Sequence, residues 1–96
     1  MTIDDAVNTL KEYCKDRYGF MPSDFSGYYC GVTNDIQRRE AEHNVSFLGH
    51  VKTKTVKSAL NLEARMHDEG FCTGKQLCNA GDDTVYVYVS LVSTKN

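Results

Sequence analysis

Apolar positions recur at helical spacing in three segments of the chain. The first predicted helix covers residues 3–17, with Thr2 as its N-terminal cap. The second covers residues 35–42 and is very polar; Asn34 would cap it, and Gln37 would complete a capping box. The third begins after a threonine, at position 53 or 55, and runs to about residue 69, where a glycine follows.

Three further segments favour strands. Residues 28–32 (YYCGV) are aromatic and β-favouring, and residues 45–52 alternate loosely. Residues 84–92 (TVYVYVSLV) alternate most clearly, with valines on one face and Tyr86 and Tyr88 on the other. Because both faces are apolar or aromatic, this strand should be central in its sheet. The expected fold class is a small α+β domain, with a mainly antiparallel three-stranded sheet flanked by about three helices.

Length and charge narrow the class of protein. The 96 residues make one domain, expected to cover 1–96 with an N-terminal helix inside 1–19 and a core at 27–92. With 11 Lys plus Arg against 13 Asp plus Glu, the net charge of −2 disfavours a sequence-blind nucleic-acid coat. Neither a secretory signal nor a membrane span is visible. Four cysteines without a C-x-x-C spacing indicate reduced thiols in a cytoplasmic protein rather than a zinc site.

Glu63 interrupts the apolar stripe of the third predicted helix. The stripe is expected to hold five residues: Val56, Ala59, Leu60, Ala64 and Met66. Glu63 would lie in its middle, with His67 one turn later on the same face. A carboxylate that faces a core is costly unless it is paired or holds a cation. Glu63 is therefore a candidate metal ligand, or else it pairs with an arginine where the helix leaves the core.

Arginines and tyrosines supply a second kind of candidate chemistry. Arg38 and Arg39 lie on the polar helix, and His43 follows Arg39 by four residues. An arginine fork binds phosphate, although the same residues suit a solvated helix face. Tyr28 and Tyr29 precede that helix on a predicted strand and could orient a water molecule, or simply pack. A phenol, a guanidinium and a carboxylate together fit metal-assisted phosphodiester hydrolysis.

The stretch YYCGVTNDIQRREAEHN, residues 28–44, resembles the second half of the GIY-YIG endonuclease motif. Tyr29-Cys30-Gly31 is similar to its second tripeptide, Arg39 to its catalytic arginine and His43 to the histidine that often follows. Downstream, KSALNLEARMHDEGF resembles the helix that bears the metal-binding glutamate, here Glu63, and LCNAGDDTVYVYV contains the matching asparagine, Asn79. The first Gly-Ile-Tyr tripeptide is not present as such. Three substitutes are open: Tyr18, the N-terminal helix in place of a strand, or Tyr28 beside Tyr29.

The resemblance implies a nuclease that hydrolyses nucleic-acid phosphodiesters with one divalent ion, Mg²⁺ or Mn²⁺, held by Glu63. It implies that Arg39 stabilises the phosphate, and that Tyr29 or Tyr18 orients or deprotonates water with His43 sharing the base role. Four residues would bind phosphate or support the site: Arg38, Lys52, Lys54 and Asn79. The expected partner is nucleic acid, DNA first, and no membrane; a homodimer or larger complex would add specificity. The alternative is an inactive nucleic-acid- or protein-binding adaptor on the same scaffold.

Overall fold

The fold class is a small α+β arrangement, as the sequence predicts, with three helices and one sheet among the described residues. The computed structural model describes residues 2–43, 47–73 and 86–91. Its elements, in chain order, are α1 (Ile3–Glu12), β1 (Tyr28–Thr33), α2 (Ile36–His43), β2 (Gly49–Lys52), α3 (Val56–Asp68), β3 (Cys72–Thr73) and β4 (Tyr86–Leu91). Within those residues, no helix is both long enough and apolar enough to cross a membrane.

The sheet has four strands in the order β2-β4-β1-β3. Strand β4 is central and antiparallel to both β1 and β2, which confirms its predicted position. The prediction of three strands is wrong, because β3 pairs parallel to β1 through Cys72 and Thr73. A two-residue strand is too short to leave an alternating pattern in the sequence. Strand β2 is also shorter than the predicted 45–52; residues 45 and 46 lie outside the described residues.

Helix α1 begins where predicted but ends five residues early, at residue 12 instead of 17. Thr2 caps it, and Asp5 closes a capping box with the Thr2 backbone. The early end has a local cause in the side chain of Asp16, which accepts backbone N–H groups of Tyr18 at 2.8 Å and Phe20 at 3.0 Å. Such a side-chain turn competes with helical hydrogen bonding and turns the chain away.

Helix α2 differs from prediction at its cap, whereas α3 is capped by one of the two predicted threonines. Asp35, not Asn34, caps α2, since its Oδ1 accepts the Arg38 backbone N–H at 3.0 Å. The predicted capping box of Asn34 and Gln37 is therefore wrong, and Asn34 Oδ1 instead accepts from the Arg38 guanidinium at 2.9 Å. For α3, Thr55 is the cap among the two threonines considered. Glycine at position 70, with φ of 107°, lets the chain leave α3.

The two faces of the sheet have different neighbours. The core face presents Cys30, Val51, Val87 and Val89, which pack with six helical residues: Ala6, Val7, Leu10, Ala59, Leu62 and Met66. By strand alternation, the opposite face presents Tyr29, Tyr88, Tyr86 and His50. The predicted division of β4 into a valine face and a tyrosine face is confirmed. The aromatic face of the sheet carries the candidate phenols, Tyr29 and Tyr88.

Candidate functional site

Two tyrosines meet on the aromatic face of the sheet. In the β1–β4 ladder, Gly31 lies opposite Tyr88, and Tyr29 lies two residues before Gly31. The Tyr88 phenol crosses over Gly31, so closely that a Cβ at position 31 would overlap its ring and hydroxyl. The ring centroids of Tyr29 and Tyr88 are 6.2 Å apart. The glycine of the Tyr29-Cys30-Gly31 tripeptide is thus the position that admits the second phenol.

Tyr88 is held firmly. Only 1 % of it is exposed, and Phe47 stacks on its ring with centroids 3.9 Å apart and planes 5° from parallel. Its buried hydroxyl completes no hydrogen bond of good geometry within residues 2–43, 47–73 and 86–91. Burial raises the pKa of this phenol, while the neighbouring Arg39 guanidinium lowers it. Tyr88 therefore presents a protonated hydroxyl towards Arg39.

Helix α2 directs its two arginines differently. Arg38 is exposed and donates to the side chain of Asn34, whereas the next residue, Arg39, is half-buried. The Arg39 charge acts on the phenols of both Tyr29 and Tyr88, which places its guanidinium at the aromatic face. One step along a helix turns a side chain by about 100°, enough to separate a solvated arginine from an inward one. The alternative that both arginines lie on a solvated helix face is therefore right for Arg38 and wrong for Arg39.

Glu63 lies beside the buried stripe of α3, not in its middle. The buried residues of this helix are Ala59, Leu62 and Met66, whereas Ala64 is exposed, so the predicted stripe is wrong by one row. Glu63 itself is half-buried. Burial raises the pKa of its carboxyl, and His67 on the next turn partly offsets that effect. A carboxylate with this much desolvation gains strongly from a nearby cation.

The charges of Arg39 and Glu63 both act on the phenols of Tyr29 and Tyr88, and we call these four residues the Tyr–Arg–Glu cluster. Burial, Tyr88 and Glu63 raise the pKa of Tyr29 to about 12, against the lowering effect of Arg39. Glu63 also raises the pKa of Tyr88. At neutral pH the phenol of Tyr29 therefore keeps its proton, which suits hydrogen bonding to water or phosphate rather than proton abstraction.

The remaining predicted site residues lie elsewhere or outside the described residues. Tyr18 is 72 % exposed in a turn after α1, and its ring carries the Arg17 guanidinium at 5.4 Å from the centroid. Lys52 and Lys54 are exposed and line a cavity of about 360 Å³ beside the first turns of α1 and α3. His43 is the last residue of α2, but its side chain is outside the described part, as is Asn79 entirely.

Tyr88 is the member of the cluster that sequence reasoning missed. It was assigned to a strand face but not to a site, because its role depends on the pairing of β4 with β1. A usable signal was present: β1 contains a Tyr-x-Gly step, and an aromatic strand partner can lie across a glycine of this kind. The pairing register, which decides whether Tyr86 or Tyr88 meets Gly31, is a long-range property.

The cluster contains one carboxylate, Glu63, as a candidate metal ligand. Among the described residues, no group of three or more His, Cys, Asp and Glu side chains is arranged to hold a metal. Mg²⁺ commonly uses only one or two carboxylates and completes its shell with water and substrate phosphate. Glu63, whose carboxyl is desolvated and whose charge acts on the phenols of Tyr29 and Tyr88, is the residue that would hold such an ion.

Cys14, Cys30 and Cys72 are free thiols within the described residues. Cys14 and Cys30 are buried and Cys72 is exposed; Cys78 lies outside the described residues. Burial raises the pKa of the Cys14 thiol to about 11 and that of Cys30 further still. Neither buried thiol is suited to nucleophilic chemistry, since the thiolate is the reactive form.

Comparison with known proteins gives no family for this chain. No family model matches it, and neither does any curated protein or solved structure. The function of the Tyr–Arg–Glu cluster therefore rests on its own geometry and chemistry, together with the motif in residues 28–44.

Proposed function

We propose that the chain is a divalent-metal-dependent endonuclease that hydrolyses nucleic-acid phosphodiesters and resembles GIY-YIG nucleases. The supporting observation is that the charges of Arg39 and Glu63, two residues named for that resemblance, both act on the phenol of the third, Tyr29. Tyr29 from β1 lies within the influence of Arg39 from α2 and Glu63 from α3. Groups whose pKa values are shifted by burial and by specific charged neighbours cluster at functional sites.

The proposal includes a substitute for the missing first tripeptide. We infer that β4 takes the place of the absent Gly-Ile-Tyr strand, although it follows β1 in the chain. Its support is that β4 is the antiparallel neighbour of β1 and sets Tyr88 against Gly31 and beside Tyr29. This substitution replaces the three alternatives based on Tyr18, the N-terminal helix and Tyr28. Tyr28 faces the core, where it contacts Phe25 and Phe71.

Each residue then has one task. Arg39 would bind the scissile phosphate and stabilise the additional negative charge of the pentacoordinate transition state. Tyr29, protonated at neutral pH, would hold the attacking water by a hydrogen bond. His43, the last residue of α2, would accept the proton that this water loses as it attacks. Tyr88 would position Arg39 from behind, because it is fully packed and cannot itself reach a bulky substrate.

Glu63 would bind the metal ion. A bound Mg²⁺ supplies neutralisation of charge on the phosphate oxygens. Glu63 must be ionised to serve, and its raised pKa means that the ionised form is lost at a higher pH than for an exposed glutamate. Cleavage should therefore fall as the pH is lowered through that raised value.

The proposal is tested by cleavage of supercoiled plasmid and of duplex and branched DNA, with Mg²⁺, Mn²⁺ or a chelator. Glu63→Ala should abolish metal-dependent cleavage, while Asp68→Asn, a neutralised acid on an exposed part of the same helix, should leave it unchanged. Persistence of cleavage in Glu63→Ala protein of native fold would show that Glu63 does not hold the ion.

Adjacent arginines provide a matched pair. Arg39→Ala should lower turnover roughly 10²- to 10³-fold with a much smaller loss of DNA binding. Arg38→Ala removes the same charge from the exposed side and should weaken binding and cleavage by one common factor. Equal losses of binding and turnover in Arg39→Ala would make Arg39 a binding residue only.

A second function, the inactive adaptor, predicts a different result in the same assay. The net charge of −2 and the raised pKa of Tyr29, which removes one candidate base, are the observations that favour it. An adaptor would bind nucleic acid or protein without cleaving any substrate of the panel under any metal condition. Cleavage that requires Glu63 excludes it.

A further inference from the structure

A groove next to the Tyr–Arg–Glu cluster has no task in the proposed hydrolysis. It has a volume of about 580 Å³ and lies between the first turn of α2 and the end of the sheet where β2 and β4 pair. Three of the residues that line it have aromatic side chains: Phe47, His50 and Tyr86. We call it the α2–β2 groove.

The groove and the cluster share a wall. Phe47 lines the groove and stacks on Tyr88 of the cluster at 3.9 Å. His50 lies opposite Tyr88 in the β2–β4 ladder, and Tyr86 lies two residues along the same face of β4. At about 3.3 Å per residue, Tyr86 is roughly 7 Å from Tyr88 along the strand. One nucleotide can bridge such a distance.

The charges in the groove argue against a phosphate as its occupant. Asp35 and Glu40 both line it, and hydrogen bonds hold both carboxylates in place. Asp35 accepts the Arg38 backbone N–H at 3.0 Å, and Glu40 accepts that of Phe47 at 2.8 Å. Two fixed carboxylates repel a phosphate, but they accept hydrogen bonds from amino groups. Asn34 and Gln37 add side-chain amides, which can both donate and accept.

Flat aromatic walls with polar acceptors at the rim match an unstacked nucleobase. His50 and Tyr86 meet edge to face, with ring centroids 5.6 Å apart and planes 80° apart, so their rings form a corner rather than a closed stack. Unpaired bases stack on such side chains, and their edges bond to amides and carboxylates. A paired base inside a duplex cannot enter, because its faces are covered by neighbouring bases.

We propose that the α2–β2 groove binds an unpaired nucleobase adjacent to the scissile phosphate, so that the substrates are nucleic acids with a single-stranded or extruded nucleotide. The proposal rests on the proposed nuclease function for the identity of the polymer. It assigns the groove to substrate selection and leaves the chemical step to the cluster.

The test uses binding in the presence of a chelator, so that no cleavage interferes. The probes are one oligonucleotide sequence carrying 2-aminopurine, either unpaired in a bulge or fully paired in a duplex. Stacking of the unpaired probe should quench its fluorescence, and the bulged form should bind more tightly. Tyr86→Leu, which removes one ring, should reduce the quenching and weaken binding of the bulged probe by about 5- to 150-fold. Phe20→Leu is the control, since Phe20 is 70 % exposed in the turn after α1.

A second variant guards against misfolding of Tyr86→Leu. Gln37→Ala alters an exposed groove residue on α2 and should weaken the bulged probe selectively without changing the melting temperature. Equal binding of bulged and paired probes, or quenching that survives both variants, would overturn the inference. Cleavage of fully paired DNA, without preference for an unpaired base, would overturn the base-binding proposal and still support the nuclease function. Selective quenching in a protein that cleaves no substrate would support base binding in the groove and contradict the proposed nuclease function.

Discussion

Gly31 is the position where a single methyl group should test the geometry of the site. A Cβ at residue 31 would lie 2.5 Å from Cζ and 2.9 Å from Cε2 of Tyr88. Ordinary van der Waals contact between such atoms is 3.4 Å or more, so the ring or the strand must move by roughly 1 Å. Tyr88 cannot retreat easily, because Phe47 is stacked on it at 3.9 Å.

The expected cost follows from overpacking a filled site, about 1–3 kcal/mol. For a domain of this size each kcal/mol lowers the melting temperature by about 4–8 °C, so Gly31→Ala should melt about 4–24 °C below the wild type. Gly27→Ala is the matched control, since nothing lies within 4 Å of a Cβ at that position. That control should be neutral or stabilising by up to about 1 kcal/mol. Thermal unfolding followed by circular dichroism measures both.

A double-mutant cycle identifies the clash itself. If Tyr88 is the obstacle, Gly31→Ala should cost much less in a Tyr88→Leu background than in the wild type. Costs that add within about 0.5 kcal/mol would refute the reasoning, because residues in contact are expected to couple. So would a Gly31→Ala protein as stable as Gly27→Ala.

Two further predictions concern ionisable groups. Glu63→Gln should raise the melting temperature at neutral pH, because burial raises the folded-state pKa of Glu63 above its unfolded value. The ionised carboxyl therefore disfavours folding, and this cost disappears when the carboxyl is protonated. The stability advantage of Glu63→Gln should vanish as the pH falls below about 4. A Glu63→Gln protein that is less stable than the wild type at pH 7 would contradict the prediction. For alkylation of the native protein, peptide mapping should find Cys72 modified well before Cys14 and Cys30, which are buried and have raised thiol pKa values. Early modification of Cys30 would show that the core opens readily.

Local features of this fold could be predicted from sequence, and features that depend on pairing could not. The Thr2 cap and the glycine after α3 were found because each involves residues within a few positions of one another. Asn34 is predicted as the cap of α2, but Asp35 takes that place. Both residue types are good caps and the two positions are adjacent, so local sequence does not decide between them. Strand β3 was missed because its partner, Tyr29, lies far away in the chain.

The candidate site shows the same division. Arg39 was separated from Arg38 only by the motif, and its half-buried position agrees with that choice. Glu63 was singled out for facing a core, yet it borders the stripe of Ala59, Leu62 and Met66. The predicted stripe omitted Leu62, which is buried next to Glu63 in the chain. The predicted buried face of α3 is therefore rotated from the observed one, and Glu63 was placed in its middle. Tyr88 entered the site through the β1–β4 register, which no local pattern encodes.

The central place of β4 has a consequence for how the protein is made. Strands β1 and β2 are both synthesised before β4, but they lie on either side of it and do not pair with each other within the described sheet. Before residues 86–91 are made, the described sheet has only the short β1–β3 ladder, and no phenol lies across Gly31. Tyr88 and the full sheet are therefore completed together, at a late stage of synthesis, because both depend on β4.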